Sequence, residues 1–91
     1  MTRREAGKAG REHVGPDHER RVGRDGNEIL LSTDGTRRYR GPSPKAAAYG
    51  KRGQPYTRTG VQANFETGQN LGDPNPGHQN VDANVHVDVI D

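Results

Sequence analysis

Two short stretches of the sequence carry side chains that could do acid–base chemistry. Each places a polar residue at every second position: Asn84, His86 and Asp88 in the first stretch, and Gln62, Asn64 and Glu66 in the second. An imidazole gains and loses a proton near neutral pH, so a histidine beside a carboxylate can form a general acid–base pair. The first candidates for catalytic groups are therefore His86, Glu66 and Asp88.

The residues between these polar positions indicate which elements carry them. They are apolar: Val85, Val87 and Val89 in the first stretch, and Val61, Ala63 and Phe65 in the second. Period-two alternation with β-branched residues is typical of a half-buried β-strand. If the two strands pair, their polar faces merge into one surface, which is our candidate active site. Their apolar faces, together with Leu30 or Leu31, then form the core.

A third strand is expected to bring cationic side chains to this sheet. An apolar run at residues 28–32 is followed by Asp34-Gly35 and then by an arginine-rich run at residues 37–40. Asp-Gly between two such runs predicts a β-hairpin with a type I′ turn. Alternation then places Arg38 and Arg40 on one face of the second strand and Arg37 and Tyr39 on the other.

The arginines of this hairpin have two interpretations. They can be charges that protect an exposed edge strand against edge-to-edge pairing. They can also form a guanidinium cluster that binds phosphate, with Tyr39 stacking on a nucleic-acid base.

Charge is segregated along the chain. Residues 36–58 carry seven Lys and Arg residues and no acid, whereas residues 59–91 carry five acids and no Lys or Arg. A basic block without acids indicates a polyanionic partner, most simply nucleic acid. The alternative is internal neutralisation of the basic block by the acidic C-terminal block.

The expected organisation is one small domain behind a charged, flexible tail. Residues 1–26 show no sustained periodicity, and we expect their histidines, His13 and His18, to be solvated. Residues 27–91 predict a mainly β fold, with a small α+β fold as the alternative, of about four short antiparallel strands joined by long loops. The chain has no cysteine, no apolar span and a charged rather than signal-like N-terminus, so we expect no thiolate metal site and no membrane partner.

Metal-free RNA cleavage fits this inventory better than metal catalysis. Only one histidine lies on the polar surface, which disfavours zinc, although a divalent-metal nuclease through Asp88 and Glu66 stays open. For metal-free cleavage, Glu66 and His86 supply the acid–base pair, and Gln62, Asn64 and Asp88 orient or bind the substrate. The groups expected to hold the phosphate are Arg37, Arg38, Arg40 and Lys45. The alternative is that Glu66 and His86 form only a cross-strand surface pair.

Three ordered segments resemble a known family of bacterial toxin domains. They are residues 34–45 (DGTRRYRGPSPK), residues 62–66 (QANFE) and residues 84–89 (NVHVDV). In this order they look like a nuclease domain at the C-terminal end of polymorphic toxins of the contact-dependent inhibition or Rhs type. Such domains are placed near barnase, EndoU, colicin and RelE, a group of small α+β ribonucleases that usually open with helices.

The resemblance implies an endoribonuclease that needs no cofactor and has RNA, such as transfer RNA, as its substrate. It also implies a cognate immunity protein as partner and delivery by a bacterial export system into the cytoplasm of a target cell. The residues it points to are Arg38, Arg40, Lys45, Gln62, Glu66 and His86. The alternative function is a non-catalytic nucleic-acid-binding module that uses the basic segment 36–58.

Overall fold

A computed structural model of the protein describes residues 1–23, 26–44 and 61–90. One helix precedes five strands: α1 Arg3–Val14, β1 Glu19–Val22, β2 Glu28–Leu31, β3 Arg37–Pro44, β4 Val61–Gln69 and β5 Asn80–Asp88. A short 3-10 turn, Pro76–His78, lies between the last two strands. The strands form one antiparallel sheet in the order β1-β2-β3-β4-β5, so each pairs with its neighbour in sequence. The mainly β prediction is confirmed, with five strands rather than about four.

The first 26 residues are not a featureless tail, because they contribute both α1 and β1. The helix begins with a capping box: the Glu5 backbone N–H donates to Thr2 Oγ1, and the Thr2 backbone N–H donates to Glu5 Oε1. Ala6, Gly10 and Val14 follow at intervals of four and are buried on the side that faces the sheet. The prediction of a flexible segment is therefore wrong for Arg3–Val14 and Glu19–Val22.

Helix α1 covers one face of the sheet, mainly over β3. Register places Leu30, Tyr39 and Phe65 side by side on this face. The core cluster consists of Ala6, Val14, Leu30, Tyr39, Ala63 and Val89, with Val61 and Phe65 partly buried against it. None of the described helices is long and apolar enough to cross a membrane.

Strand β5 is an edge strand, and its valines are less buried than predicted. Val85 exposes 58% of its surface, and Val87 is only half-buried. The cause is position, since α1 packs chiefly on β3, two strands away. Of the three valines predicted to be in the core, Val85, Val87 and Val89, only Val89 is buried, and it lies just after β5.

The β2–β3 hairpin is confirmed, but its turn differs from type I′. Asp34 does not adopt positive φ, whereas Gly35 does, at 73°. A loop longer than two residues connects the strands, and the Ser32 N–H donates to the Arg37 carbonyl across its base at 2.9 Å. Asp34 Oδ1 holds the loop by accepting from Ser32 Oγ and from both the backbone N–H and Oγ1 of Thr36.

Candidate active site

Register across β3, β4 and β5 brings the predicted polar side chains to the face opposite α1. Arg38 lies opposite Glu66, and Arg40 lies opposite Asn64. On the other side of β4, His86 lies opposite Asn64 and Asp88 lies opposite Gln62. The polar face expected from the alternation is therefore present, and it extends onto β3, but its three members on β4, Gln62, Asn64 and Glu66, are buried rather than open to solvent.

Glu66 lies at the centre of this surface and is bound by two arginines. Arg38 donates from Nε to Oε1 and from Nη2 to Oε2, each at 3.0 Å. The Nε of Arg40 lies 3.0 Å from the same Oε1. Because the Glu66 side chain exposes only 2% of its surface, these ion pairs fix its orientation.

The two arginines differ in how many donors they leave open. Arg38 also donates from Nη1 to the Leu71 carbonyl at 3.0 Å and to Gln79 Oε1 at 2.9 Å, so four of its five N–H donors are engaged. The Arg40 side chain is 40% exposed. Its Nε is close enough to Glu66 for an ion pair but is not aligned for a hydrogen bond. Within the described parts of the chain Arg40 has no other partner, so its remaining donors can bind an anion.

His86 is exposed on the same face, one strand beyond Glu66. Its ring makes no hydrogen bond with any residue that the structure describes. Asn64 lies between His86 and Arg40 and is buried, and its Oδ1 has no hydrogen-bond partner among the described residues. A buried acceptor without a partner is uncommon, and here it lies next to the candidate acid–base group.

Gln62 and Asp88 are tied to each other at the end of this surface. Gln62 Nε2 donates to Asp88 Oδ1 at 3.3 Å. The Asp88 carbonyl also accepts from the N-terminal amino group of Met1 at 3.1 Å. Their contacts therefore join β4, β5 and the start of the chain.

Two of the predicted phosphate- and base-binding residues lie on the other face. Tyr39 is buried in the core, with its ring 5.2 Å from that of Phe65, so its predicted role in stacking on a base is wrong. Arg37 is on the helix side, where Nη1 donates to the His13 carbonyl at 3.2 Å. Lys45 and most of the basic segment 36–58 lie outside the described residues.

The sequence interpretation missed two contributors to this region. His13, expected to be solvated, is half-buried: its Nε2 lies 2.8 Å from the Glu66 carbonyl oxygen, and its ring meets Phe65 edge-on. His18 also has a partner, the Gly15 carbonyl at 2.8 Å from Nδ1. The second contributor is the loop 70–79, whose Leu71 and Gln79 bind Arg38. Only the Gly- and Pro-rich composition of this loop was visible in the sequence.

This arrangement combines a fixed carboxylate, an open guanidinium and an exposed imidazole on one sheet face. Such a set can bind a phosphate and move protons on either side of it. In the described part of the chain, no three His, Asp or Glu residues cluster in a way that could hold a metal ion. Comparison with known protein families, curated proteins and solved structures finds no match to this chain.

Proposed function

We propose that this chain is a metal-independent endoribonuclease that acts as a bacterial toxin domain. The observation that carries the proposal is Glu66, held between Arg38 and Arg40 on the same sheet face as the exposed His86. RNA cleavage without metal needs a base for the ribose 2′-hydroxyl, an acid for the leaving oxygen and cations for the phosphate. These residues are of the types that the three tasks require.

The environments of the residues suggest how the roles are divided. In this proposal Glu66 accepts the 2′-hydroxyl proton, because three contacts from the arginines leave part of its acceptor capacity unused. Its side chain is only 2% exposed, so this role requires the substrate phosphate to draw the partly exposed Arg40 away from it. His86, as the exposed group, donates a proton to the leaving 5′-oxygen. Arg40 binds the phosphate through its open donors, and Arg38 keeps Glu66 in place.

The α+β fold agrees with one expectation of the resemblance. That resemblance implies a small α+β ribonuclease that opens with helices, and α1 precedes an antiparallel sheet here. An RNA substrate such as transfer RNA, a cognate immunity protein and delivery into a target cell belong to the same proposal.

One observation favours the second candidate, a non-catalytic nucleic-acid-binding module. Both carboxylate oxygens of Glu66 are already engaged by guanidinium groups, as in a purely structural ion pair. Such a module would bind RNA in a salt-sensitive way without cutting it. Loss of His86 would not affect its binding.

The test is cleavage of total transfer RNA in EDTA by wild type, His86→Ala and the control His78→Ala. His78 is also an exposed histidine, but it lies in the loop before β5 and not on the strands that form the candidate active site, so its loss should not affect cleavage. We expect wild type and the control to cleave, and His86→Ala to be slower by about 10²–10⁴-fold, the usual contribution of a general acid or base.

Other outcomes overturn the proposal in distinct ways. Cleavage that needs added magnesium would contradict the proposed metal independence. Undiminished cleavage by His86→Ala would contradict the role of His86 as the general acid. Salt-sensitive binding with no cleavage under either condition would establish the binding module instead.

A further inference from the structure

A cavity of about 270 Å³ lies on the polar face of the sheet, next to the candidate active site. Its floor comes from β1, β2 and β3, and its wall from the loop 70–79. The lining is mixed: Ile29, Leu31, Leu71 and Pro74 are apolar, Arg21, Arg38 and Arg40 are cationic, and Asp73 and Gln79 are polar members from the loop.

The loop that walls this cavity is tied to the sheet by hydrogen bonds. Gln79 accepts from Arg38 Nη1 at 2.9 Å, and its Nε2 donates to the Asp73 carbonyl at 2.8 Å. Arg21 Nη1 donates to the Gly72 carbonyl at 3.1 Å. The cavity is therefore already formed without a ligand, as most small-molecule sites are.

The cavity is lined by three arginines and one carboxylate, Asp73, whose oxygens contact the Asn75 backbone N–H and His78 Nδ1, so the charges favour an anionic ligand. Arg40 has open donors and is shared with the candidate active site. Arg21 forms an ion pair with Glu19 at 2.9 Å, but both side chains are about half-exposed, so water screens the pair and Arg21 can also bind an incoming anion. Four of the five N–H donors of Arg38 are engaged by its neighbours, so Arg38 serves as support.

The size and lining of the cavity fit the base of one nucleotide, with the phosphate at its rim. Sites for small organic ligands begin at about 300 Å³ and combine apolar walls with a few polar groups that fix orientation, so a cavity of about 270 Å³ holds the base rather than the whole nucleotide. A nucleobase has two apolar faces, which Ile29, Leu31 and Pro74 can contact, and a nucleotide adds the phosphate that a guanidinium binds.

We propose that this cavity binds one nucleotide of the RNA strand, with the base between the sheet and the loop and the phosphate on Arg40 and Arg21. The nucleotide would lie beside the bond to be cleaved, because Arg40 borders both sites. The cavity thus gives the enzyme a preference for the base at that position. The RNA part of this inference rests on the proposed function, whereas nucleotide binding is measured separately.

The experiment measures binding of adenosine 3′-monophosphate, guanosine 3′-monophosphate, adenosine and inorganic phosphate by calorimetry and by amide chemical-shift changes. We expect at least one mononucleotide to bind about tenfold or more tightly than either phosphate or adenosine alone. Its shifts should centre on residues 29–31 and 71–74. Arg21→Gln should weaken binding of the mononucleotide about five- to tenfold, because one charge-assisted contact is lost.

Arg20→Gln is the matched control. Arg20 is next to Arg21 on β1 but faces the other side of the sheet, and it too forms an ion pair, with Glu28 at 2.8 Å. Equal weakening by the two variants would overturn the proposal, since it would show only a general loss of positive charge. Phosphate bound as tightly as every mononucleotide would also overturn it, because the base would then contribute nothing.

A third arm distinguishes a nucleotide of an RNA strand from a free nucleotide. A short 2′-deoxy oligonucleotide lacks the attacking hydroxyl, so it can bind without being cut. Displacement of the mononucleotide by this probe supports the strand assignment, and failure to displace it overturns that assignment. Mononucleotide binding without RNA cleavage would leave the cavity site standing and reject the proposed function. Cleavage of RNA with no mononucleotide binding would support the proposed function and reject the cavity site.

Discussion

Arg38 and Glu66 face each other across β3 and β4 and are joined by two parallel hydrogen bonds, each 3.0 Å long. Their side chains expose 13% and 2% of their surfaces, so the pair is largely removed from water. Arg40 adds a second guanidinium to the same carboxylate. One face of the sheet therefore carries a buried ionic group, whereas the core on the opposite face is apolar.

Removing the charge of Glu66 should destabilise the fold. Glu66→Gln leaves the guanidinium of Arg38, which water hardly reaches, without its counter-charge, whereas the partly exposed Arg40 is solvated. Breaking a buried pair in this way costs about 3–5 kcal/mol of unfolding free energy. Urea denaturation followed by circular dichroism at neutral pH measures the loss.

The control for this variant is Glu28→Gln. The Arg20–Glu28 pair is as short, at 2.8 Å, but its side chains are 63% and 34% exposed. An exposed pair contributes at most about 1 kcal/mol. Similar losses of unfolding free energy in the two variants would contradict the view that burial makes the Arg38–Glu66 pair more costly to break than an exposed pair.

The pairing of β4 with β5 could be predicted from the sequence because both strands alternate strictly. A slip of one residue would exchange the polar and apolar faces of a strand, so the pattern restricts the register. Glu66, Asn64 and Gln62 therefore fall in one row with His86 and Asp88 beside it. Similarly, the hairpin predicted from Asp34-Gly35 placed Arg38 and Arg40 together on one face of the second hairpin strand.

Helix α1 and the true core were harder to predict. The helix buries Ala6, Gly10 and Val14, and two of these residues are too small to produce a clear apolar period. The capping box from Thr2 to Glu5 was the available signal. Without the helix, nothing in the sequence indicated that Tyr39 would be covered, or that Val85 would remain exposed at the edge.

Gly10 is required where α1 crosses Tyr39. A Cβ at this position would lie 2.5 Å from two atoms of the Tyr39 ring. Gly10→Ala should therefore lower the unfolding free energy by about 1–3 kcal/mol, the usual cost of overpacking. Thermal denaturation of the variant beside wild type measures the effect.

Gly7→Ala is the matched variant on the same helix. Its Cβ would meet only the end of the flexible Arg11 side chain, at 3.4 Å. Alanine is a better helix former than glycine, so this change should stabilise the protein by about 0.5–1 kcal/mol. A stable Gly10→Ala variant would show that α1 does not pack on Tyr39 as described.

Asp34 should make the hairpin sensitive to acid. Hydrogen bonds from Thr36, with a further one from Ser32, lower the pKa of Asp34 from 3.8 to about 2. A carboxylate whose pKa is lower in the folded state stabilises the fold fully above its unfolded pKa and loses this effect as pH falls toward the folded pKa. Wild type should therefore be more stable than Asp34→Ala at neutral pH, and the difference should shrink between about pH 4 and pH 2. Denaturation curves across this range measure it, with the exposed Thr33→Ala as control; a gap independent of pH would contradict the role of the carboxylate.

The hydroxyl of Tyr39 should be a net cost to stability. It is buried, and its oxygen has no hydrogen-bond partner among the residues that the structure describes. Tyr39→Phe removes this group and keeps the ring contact with Phe65, so it should raise the unfolding free energy by about 1 kcal/mol or more. Tyr39→Ala also loses the ring and should be less stable than wild type by about 3–5 kcal/mol.

The pH dependence of the same variant gives an independent check. Burial is the largest cause that raises the pKa of Tyr39 above its ordinary value, with the charge of Glu28 adding to it. Because the unfolded tyrosine ionises first, wild type should lose stability as pH rises above about 10, and Tyr39→Phe should lack this part of the loss. The advantage of Tyr39→Phe over wild type should therefore grow in alkali. An advantage that stays constant or disappears would show that the hydroxyl reaches water or a partner.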